Sequence, residues 1–226
     1  MTRPTLLLFP GLGVDARVYE PQRVLPVNLE VAEWIEPESL DEPLSHYADR
    51  MAEQIGPRPD VYIGGISLGA MVAMEAATRL QARGVVVIGG CTSHHQVSPL
   101  FRTILRAGAM LPLSAIRLSL RLAPLALKLF EKLDPAPRRL MTQMLREHST
   151  RQIRWNCRAI LKWECCGARP TMPVYWIHGE LDEVIPHEGV RAQHVVPGGR
   201  HLISLTHAEE VNRFILKSVY QCIAPE

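Results

Sequence analysis

The chain opens without a long apolar run: Leu6 to Phe9 are four consecutive apolar residues, and Pro10 ends them. That is too short for the apolar region of a signal peptide and far too short to span a bilayer. A disulfide framework is missing too. The five cysteines are an odd number, and Cys165 and Cys166 are adjacent, so a reducing cytoplasm is the expected setting. No C-x-x-C pair or spaced histidine cluster suggests structural zinc. His94 and His95 adjoin each other, and neighbouring side chains of an extended segment point to opposite sides, so no metal is expected there. No internal repeat or low-complexity segment appears. Acid is absent from one long stretch, since no Asp or Glu occurs between Glu75 and Glu131.

That gap shows in the charge. The net +2 conceals balances of −5 over residues 1–100, +10 over 101–162 and −3 over 163–226. The middle third is a chemically distinct unit. Nucleic-acid binding is nevertheless not expected, because the positive charge lies on an apolar helical block and the total is small. With 226 residues, 47% of them hydrophobic, and a mean hydropathy of +0.01, the composition is that of an ordinary soluble globular protein. One domain over residues 1–226 is expected.

Thr5 to Phe9 reads as a short buried strand, and Val14 to Leu25 as an irregular helix with Asp15 as cap and Pro21 interrupting it. Leu29 to Trp34 alternates like an edge strand, and Ser45 to Ile55 reads as a helix closed by Gly56-Pro57. Val85 to Ile88, between Gly84 and Gly89-Gly90, has the continuous apolar character of a buried parallel strand. From Leu100 to Lys162 the strands stop, and helical spacing runs on, broken at Pro112, Pro124, Pro135 and Pro137. Strands resume at Val174 to Ile177 and Ala192 to Val196, and Val211 to Tyr220 closes the chain as an amphipathic helix. This alternation argues for an α/β fold, a mostly parallel sheet of about six strands with helices on both faces. Residues 97–150, inserted between strands, are a candidate helical cap over strand C-terminal ends, where α/β sites lie.

The chain is organised around Val61 to Leu80. A strand-like run leads into Gly65-Ile66-Ser67-Leu68-Gly69, and an Ala/Met-rich helical run follows. The pentapeptide fits G-x-S-x-G between a strand and a helix. A serine on so tight a turn has unfavourable backbone angles, so its flanks must lack bulk. Two later segments also follow predicted strands: His178-Gly179-Glu180-Leu181-Asp182-Glu183-Val184-Ile185-Pro186, and Pro197-Gly198-Gly199-Arg200-His201.

In the order Ser67, Asp182, His201 the chain resembles the α/β-hydrolase superfamily over nearly its whole length, with the first two strands of the full fold missing. The resemblance implies Ser67 as nucleophile, His201 as base and Asp182 as the acid that orients it. Asp182 matches the family pattern H-G-x-x-D-x-x-[VI]-P, with Glu180 and Glu183 as nearer rivals. Members that carry the acid one strand earlier would place it where this chain reads Gly89-Gly90-Cys91-Thr92. His201 has a rival in His187. The family's Gly before the histidine is Arg200 here, and only 18 residues separate Asp182 from His201, so the intervening helix looks deleted. Backbone N–H groups of Leu68 and of Leu12 are the expected oxyanion donors, with Pro10-Gly11-Leu12-Gly13 standing where relatives carry His-Gly-x-Gly.

The expected activity is that of a cytoplasmic serine hydrolase needing no cofactor or metal. Its substrate would be a small-molecule ester or thioester with an apolar acyl part, free or carrier-linked. A carbon–carbon bond hydrolase or lyase on the same residues stays open, as does a non-enzymatic ligand-binding role. Arg102, Arg106, Arg117, Arg121, Lys128 and Lys132 could steer an anionic carrier or touch anionic lipid peripherally. Solvated arginines on exposed faces account for them most simply. Among three cysteine-rich or aromatic neighbours, Trp155, Cys157 and Trp163 are expected in the core.

Overall fold

Runs of Val, Ile, Tyr and Gly with no exposed member form the middle of the sheet, as a strand covered on both faces requires. The computed structural model describes residues 3–165 and 172–220, so Cys166 lies outside the described residues. Six strands are present: β1 (Thr5–Phe9), β2 (Asn28–Val31), β3 (Val61–Ile66), β4 (Gly84–Ile88), β5 (Val174–Gly179) and β6 (His194–Val196). They lie in the order β2-β1-β3-β4-β5-β6, and every neighbouring pair is parallel. The expected α/β architecture is therefore the one found. β2 is shorter than the alternating segment suggested, and its partly exposed residues suit an edge.

Alternate residues of each strand feed opposite faces of the sheet. Leu7, Phe9, Ile63, Val85 and Val87 join one core with α1 (Leu44–Ile55) and α2 (Leu68–Leu80). Leu6, Leu8, Tyr62, Val86 and Ile88 join the other with residues of the C-terminal helix, such as Phe214 and Ile215. Between β4 and β5 the chain makes α3 (Pro99–Met110), α4 (Leu113–Ser119), α5 (Ala123–Ala126), α6 (Pro135–Glu147) and α7 (Thr150–Lys162). Pro112 precedes α4 and Pro135 opens α6, which also contains Pro137, whereas helical backbone continues from the 3-10 turn Leu120–Leu122 through Pro124 into α5 rather than breaking there. After β6 come a single turn, α8 (Ile203–Thr206), and then α9 (Ala208–Val219).

Helix α7 ties this insertion to α1 and the loop before it. Trp155 is fully buried, packs against Tyr47 in a tilted arrangement with ring centroids 4.1 Å apart, and donates its indole N–H to the Glu42 carbonyl at 2.9 Å. Cys157 and Trp163 are buried as expected. The outward side of the insertion is different: Leu118, Leu122 and Leu125 are exposed beside exposed Arg117 and Arg121.

One expectation is corrected here. His94 and His95 do not lie in an extended segment with their side chains apart. They occupy a short 3-10 helix, His94–Gln96, with ring centroids 3.9 Å apart. Ser93 and Gln96 form a capping box: Ser93 Oγ accepts from His95 N–H at 3.2 Å, and Gln96 Oε1 accepts from Ser93 N–H at 3.1 Å. The box winds the backbone and brings the two rings together.

The chain passes from β1 out to the edge strand β2 and then returns to β3, so the sheet reverses direction between β1 and β3. Such a switch point opens a crevice at the strand C-termini. Tyr19, from the 3-10 helix Ala16–Gln22 that Asp15 caps, fastens its two sides. The buried Tyr19 hydroxyl donates to the Phe9 carbonyl at 2.7 Å and accepts from Ile66 N–H at 2.8 Å. Burial pushes the phenol far above its usual range, so it remains a donor. In Tyr19→Phe both backbone groups lose that partner, at about 1–3 kcal/mol for each group left unsatisfied. Urea unfolding should therefore show a loss of at least about 2 kcal/mol; an unchanged midpoint would contradict this role.

Candidate active site

Ser67, the residue after β3, has φ 54° and ψ −119°, a conformation that side chains rarely adopt. Packing holds it there. A Cβ on Gly65 would lie 2.4 Å from the Gly69 carbonyl carbon, and one on Gly69 would lie 2.0 Å from the Phe9 carbonyl oxygen. These two glycines are there because backbone passes against backbone. α2 starts at Leu68, whose N–H belongs to the first helical turn and has no intrahelical partner. The Leu68 side chain is buried in the core.

A cavity of about 230 Å³ opens at the sheet's C-terminal edge, and Leu12, Ser67 and His201 all line it. Phe101, Leu105 and Leu127 of the insertion form its opposite wall. Apolar side chains make up most of the lining, and the titratable members are Glu131 and His201.

Asp182 follows β5 and is buried. Its Oδ1 accepts N–H bonds from Val184 at 2.9 Å and Ile185 at 2.8 Å. Its Oδ2 accepts from His201 Nδ1 at 2.8 Å and lies 3.1 Å from His178 Nε2. His178 is fully buried; its Nδ1 faces the Trp176 indole N–H, and its Nε2 also meets the Ile185 carbonyl at 2.7 Å. That network assigns the proton to Nε2, shared between the carbonyl and the carboxylate. Burial alone would raise the Asp182 pKa. The His201 charge and the hydrogen bonds from His178 and His201 outweigh it and hold the carboxyl well below the usual range.

With Nδ1–H donated to Asp182, the lone pair of His201 is on Nε2. Burial lowers the imidazole pKa, but the Asp182 charge, their hydrogen bond and the Glu131 charge together raise it above its ordinary value. The hydrogen bonds of the described residues do not include one from the Ser67 hydroxyl to His201, a contact that is often loose without substrate.

The competing carboxylates have other partners. Glu180 accepts from Gly198 N–H at 2.8 Å, and Glu183 pairs with Arg200 at 3.1 Å. Of the other histidines in this part of the chain, His194 pairs with Glu210 at 2.6 Å and His207 meets Thr206 at 2.9 Å, while His187 Nδ1 is buried 3.5 Å from Glu188 without a hydrogen-bond partner among the described residues. Between Asp182 and β6 the chain makes only the three-residue 3-10 turn His187–Gly189, so the expected shortening is real. At the earlier acid position, Gly89 takes φ +54°, and a Cβ there would lie 3.8 Å from both Asp182 Oδ2 and His201 Nδ1.

Glu131 was not singled out by the sequence. It ends the π-helical segment Leu127–Glu131, is buried, and accepts from Leu202 N–H at 3.1 Å. Burial pushes its carboxyl above the usual range, against the opposing pull of His201 and of the Leu202 N–H. Only its place at the end of the acid-free stretch marks it in the sequence.

An all-parallel sheet with a strained serine turn, and a buried Asp–His pair on its last two strand ends, has the α/β-hydrolase fold. The chain belongs to the alpha/beta hydrolase family, which it matches over residues 6–214. Among solved structures it is similar to a thermophilic esterase from Thermogutta terrifontis, with 17% identity, a TM-score of 0.71, and 97% of this chain and 90% of that one covered. The N-acyl homoserine lactonase AidH is similar at 15% identity and a TM-score of 0.70, covering 98% and 92%. A bromoperoxidase from Bacillus anthracis is similar at 17% identity and 0.70, covering 96% and 91%. At these identities the likeness concerns the fold. No curated protein matches the chain.

Followed by NMR, the His201 imidazole should titrate above the ordinary value of 6.5. Glu131→Gln removes one negative neighbour and should lower that midpoint, and Asp182→Asn should lower it further. The size of the first fall measures how far Glu131 is ionised beside His201, and no fall would show that it is held neutral.

Proposed function

We propose that this chain is a serine hydrolase that cleaves a small-molecule ester or thioester with an apolar acyl part. The observation that carries the reading is the 2.8 Å Asp182–His201 hydrogen bond at a cavity that Ser67 also lines. An esterase and an N-acyl homoserine lactonase among the similar structures agree with it.

In the first step His201 Nε2 takes the Ser67 proton while Oγ bonds to the acyl carbon. The oxyanion then accepts N–H bonds from Leu68 and Leu12, one on each side of the switch point. Collapse of the tetrahedral species breaks the bond to the leaving oxygen or sulfur, which receives the proton held on His201. Water repeats the sequence: it gives a proton to His201, attacks the acyl-enzyme and releases the acid with Ser67 restored. Asp182 keeps its charge throughout and stabilises the imidazolium. The insertion over residues 97–150 serves as the cap, and its Phe101, Leu105 and Leu127 receive the acyl chain. No cofactor enters any step.

A cavity of about 230 Å³ is small for a ligand site, where about 300–1,000 Å³ is usual. Short and middle-length acyl chains are therefore the preferred ones. With p-nitrophenyl esters from acetyl to dodecanoyl, kcat/KM should peak below dodecanoyl and fall at least about 10⁴-fold in Ser67→Ala. Its acidic limb should follow the His201 titration, with a midpoint above the ordinary imidazole value. Turnover unchanged in Ser67→Ala would refute the nucleophile assignment.

A further inference from the structure

The geometry points to a binding site for a divalent transition-metal ion, built from His94, His95 and Glu164 where the helical insertion meets the sheet. One ring nitrogen of each histidine and one carboxylate oxygen of Glu164 all lie within 4.8 Å of one another. His95 Nε2 is 3.2 Å and His94 Nδ1 3.8 Å from Glu164 Oε1. An ion with bonds of about 2.0–2.2 Å in tetrahedral geometry holds its ligand atoms roughly 3.3–3.5 Å apart. The two observed separations bracket that spacing, the third pair of ligand atoms lies within 4.8 Å, and rotation of the side chains would close the site.

The donor set selects the ion. Two imidazoles and one carboxylate suit zinc, nickel or copper, whereas magnesium and calcium prefer oxygen throughout. The backbone around the donors is fixed before any ion arrives. Gln96 Oε1 accepts from Thr92 N–H at 2.7 Å and from Ser93 N–H at 3.1 Å, which sets the turn that carries both histidines. His94 N–H donates to the Trp163 carbonyl at 3.0 Å, Cys165 N–H donates to Thr92 at 2.9 Å, and Ser93 pairs with Glu164 in an antiparallel bridge. The Trp163 carbonyl lies 3.1 Å from His94 Nδ1, so ligation through that nitrogen requires the ring to give up this hydrogen bond.

Competition for the Glu164 carboxylate is low. Among the described residues, the salt-bridge partners of Glu164 are these two histidines. The comparable group Glu38, Glu42 and His46 is different, because Arg50 stands 2.8 Å from Glu42 and 3.2 Å from Glu38 and already supplies the positive charge. The His95 and Glu164 side chains are 67% and 60% exposed, so an ion reaches them from solvent and keeps open positions for water. Its ligands come from the chain just before α3 and just after α7. A bound ion thus clasps the entry of the insertion to its exit, adding a cross-link to backbone bonds that already join them.

Equilibrium dialysis of the full chain against zinc should show a bound equivalent that is weakened roughly 10–100-fold in His95→Ala and again in Glu164→Gln. Zinc should also raise the unfolding temperature of the wild type more than that of either variant, while magnesium does neither. Both substitutions are at exposed side chains, and circular dichroism checks that each variant is folded; if one is not, the other decides. Equal zinc affinity in all three proteins, or no zinc binding to the wild type, would overturn the assignment.

Discussion

A carboxylate removed from water survives as an anion only if donors replace the water, and Asp182 has replacements on both oxygens. Two come from the backbone of its own turn, at Val184 and Ile185, so the loop after β5 must fold back sharply at once. Two more come from imidazoles, one at the end of β5 itself and one brought from beyond β6. This need explains the short connection between Asp182 and His201. The histidine has to return within hydrogen-bond reach, and the edge strand β6 with one 3-10 turn is enough chain to do so. His178 is committed to the same anion from below, which is why a buried histidine sits at the end of a strand otherwise made of apolar residues.

The serine turn answers to a different constraint, close approach of backbone. α2 can begin immediately after β3 only because Gly69 passes against the Phe9 and Pro10 carbonyls and Gly65 passes against Gly69. The left-handed angles of Ser67 are the cost of that compression. Tyr19 works on the same crevice from the other side, holding the ends of β1 and β3 in place through one hydroxyl. The turn that carries Leu12 and the turn that carries Ser67 and Leu68 are thus fixed relative to each other by close backbone packing and one phenol.

Much of this was legible in the sequence, and the boundary between legible and hidden is physical. Ser67 and Asp182 sit in local patterns, because a strained turn and a self-bonded carboxylate loop need particular neighbours within five or so residues. His201 could be placed only by the order of the loops, since its partner is 19 residues away. Tyr19 and Glu131 carry no local mark: the first bonds to a residue 47 positions away and the second to one 71 away. His94 and His95 were misread for the opposite reason. Ser93-His94-His95-Gln96 has the S-x-x-Q spacing of a capping box, and that local signal predicts a helical turn that brings neighbouring rings to one side.

Gly89 joins these strands of reasoning. The position after β4 is where an acid one strand earlier would stand, and its Cα already lies close enough that a Cβ would reach within 3.8 Å of Asp182 Oδ2 and 3.3 Å of the His201 carbonyl oxygen. Two carboxylates this near one imidazole would repel, and one would have to take up a proton. A buried anion at Asp182 is therefore best served by an uncharged residue after β4, and the left-handed φ of Gly89 adds a second reason for glycine. The chain leaving that glycine then has only Gly90 to Thr92 before the capped turn that holds the two histidines. One short segment, residues 89–96, thus lies against the Asp182–His201 pair at one end and carries the joint of the insertion at the other.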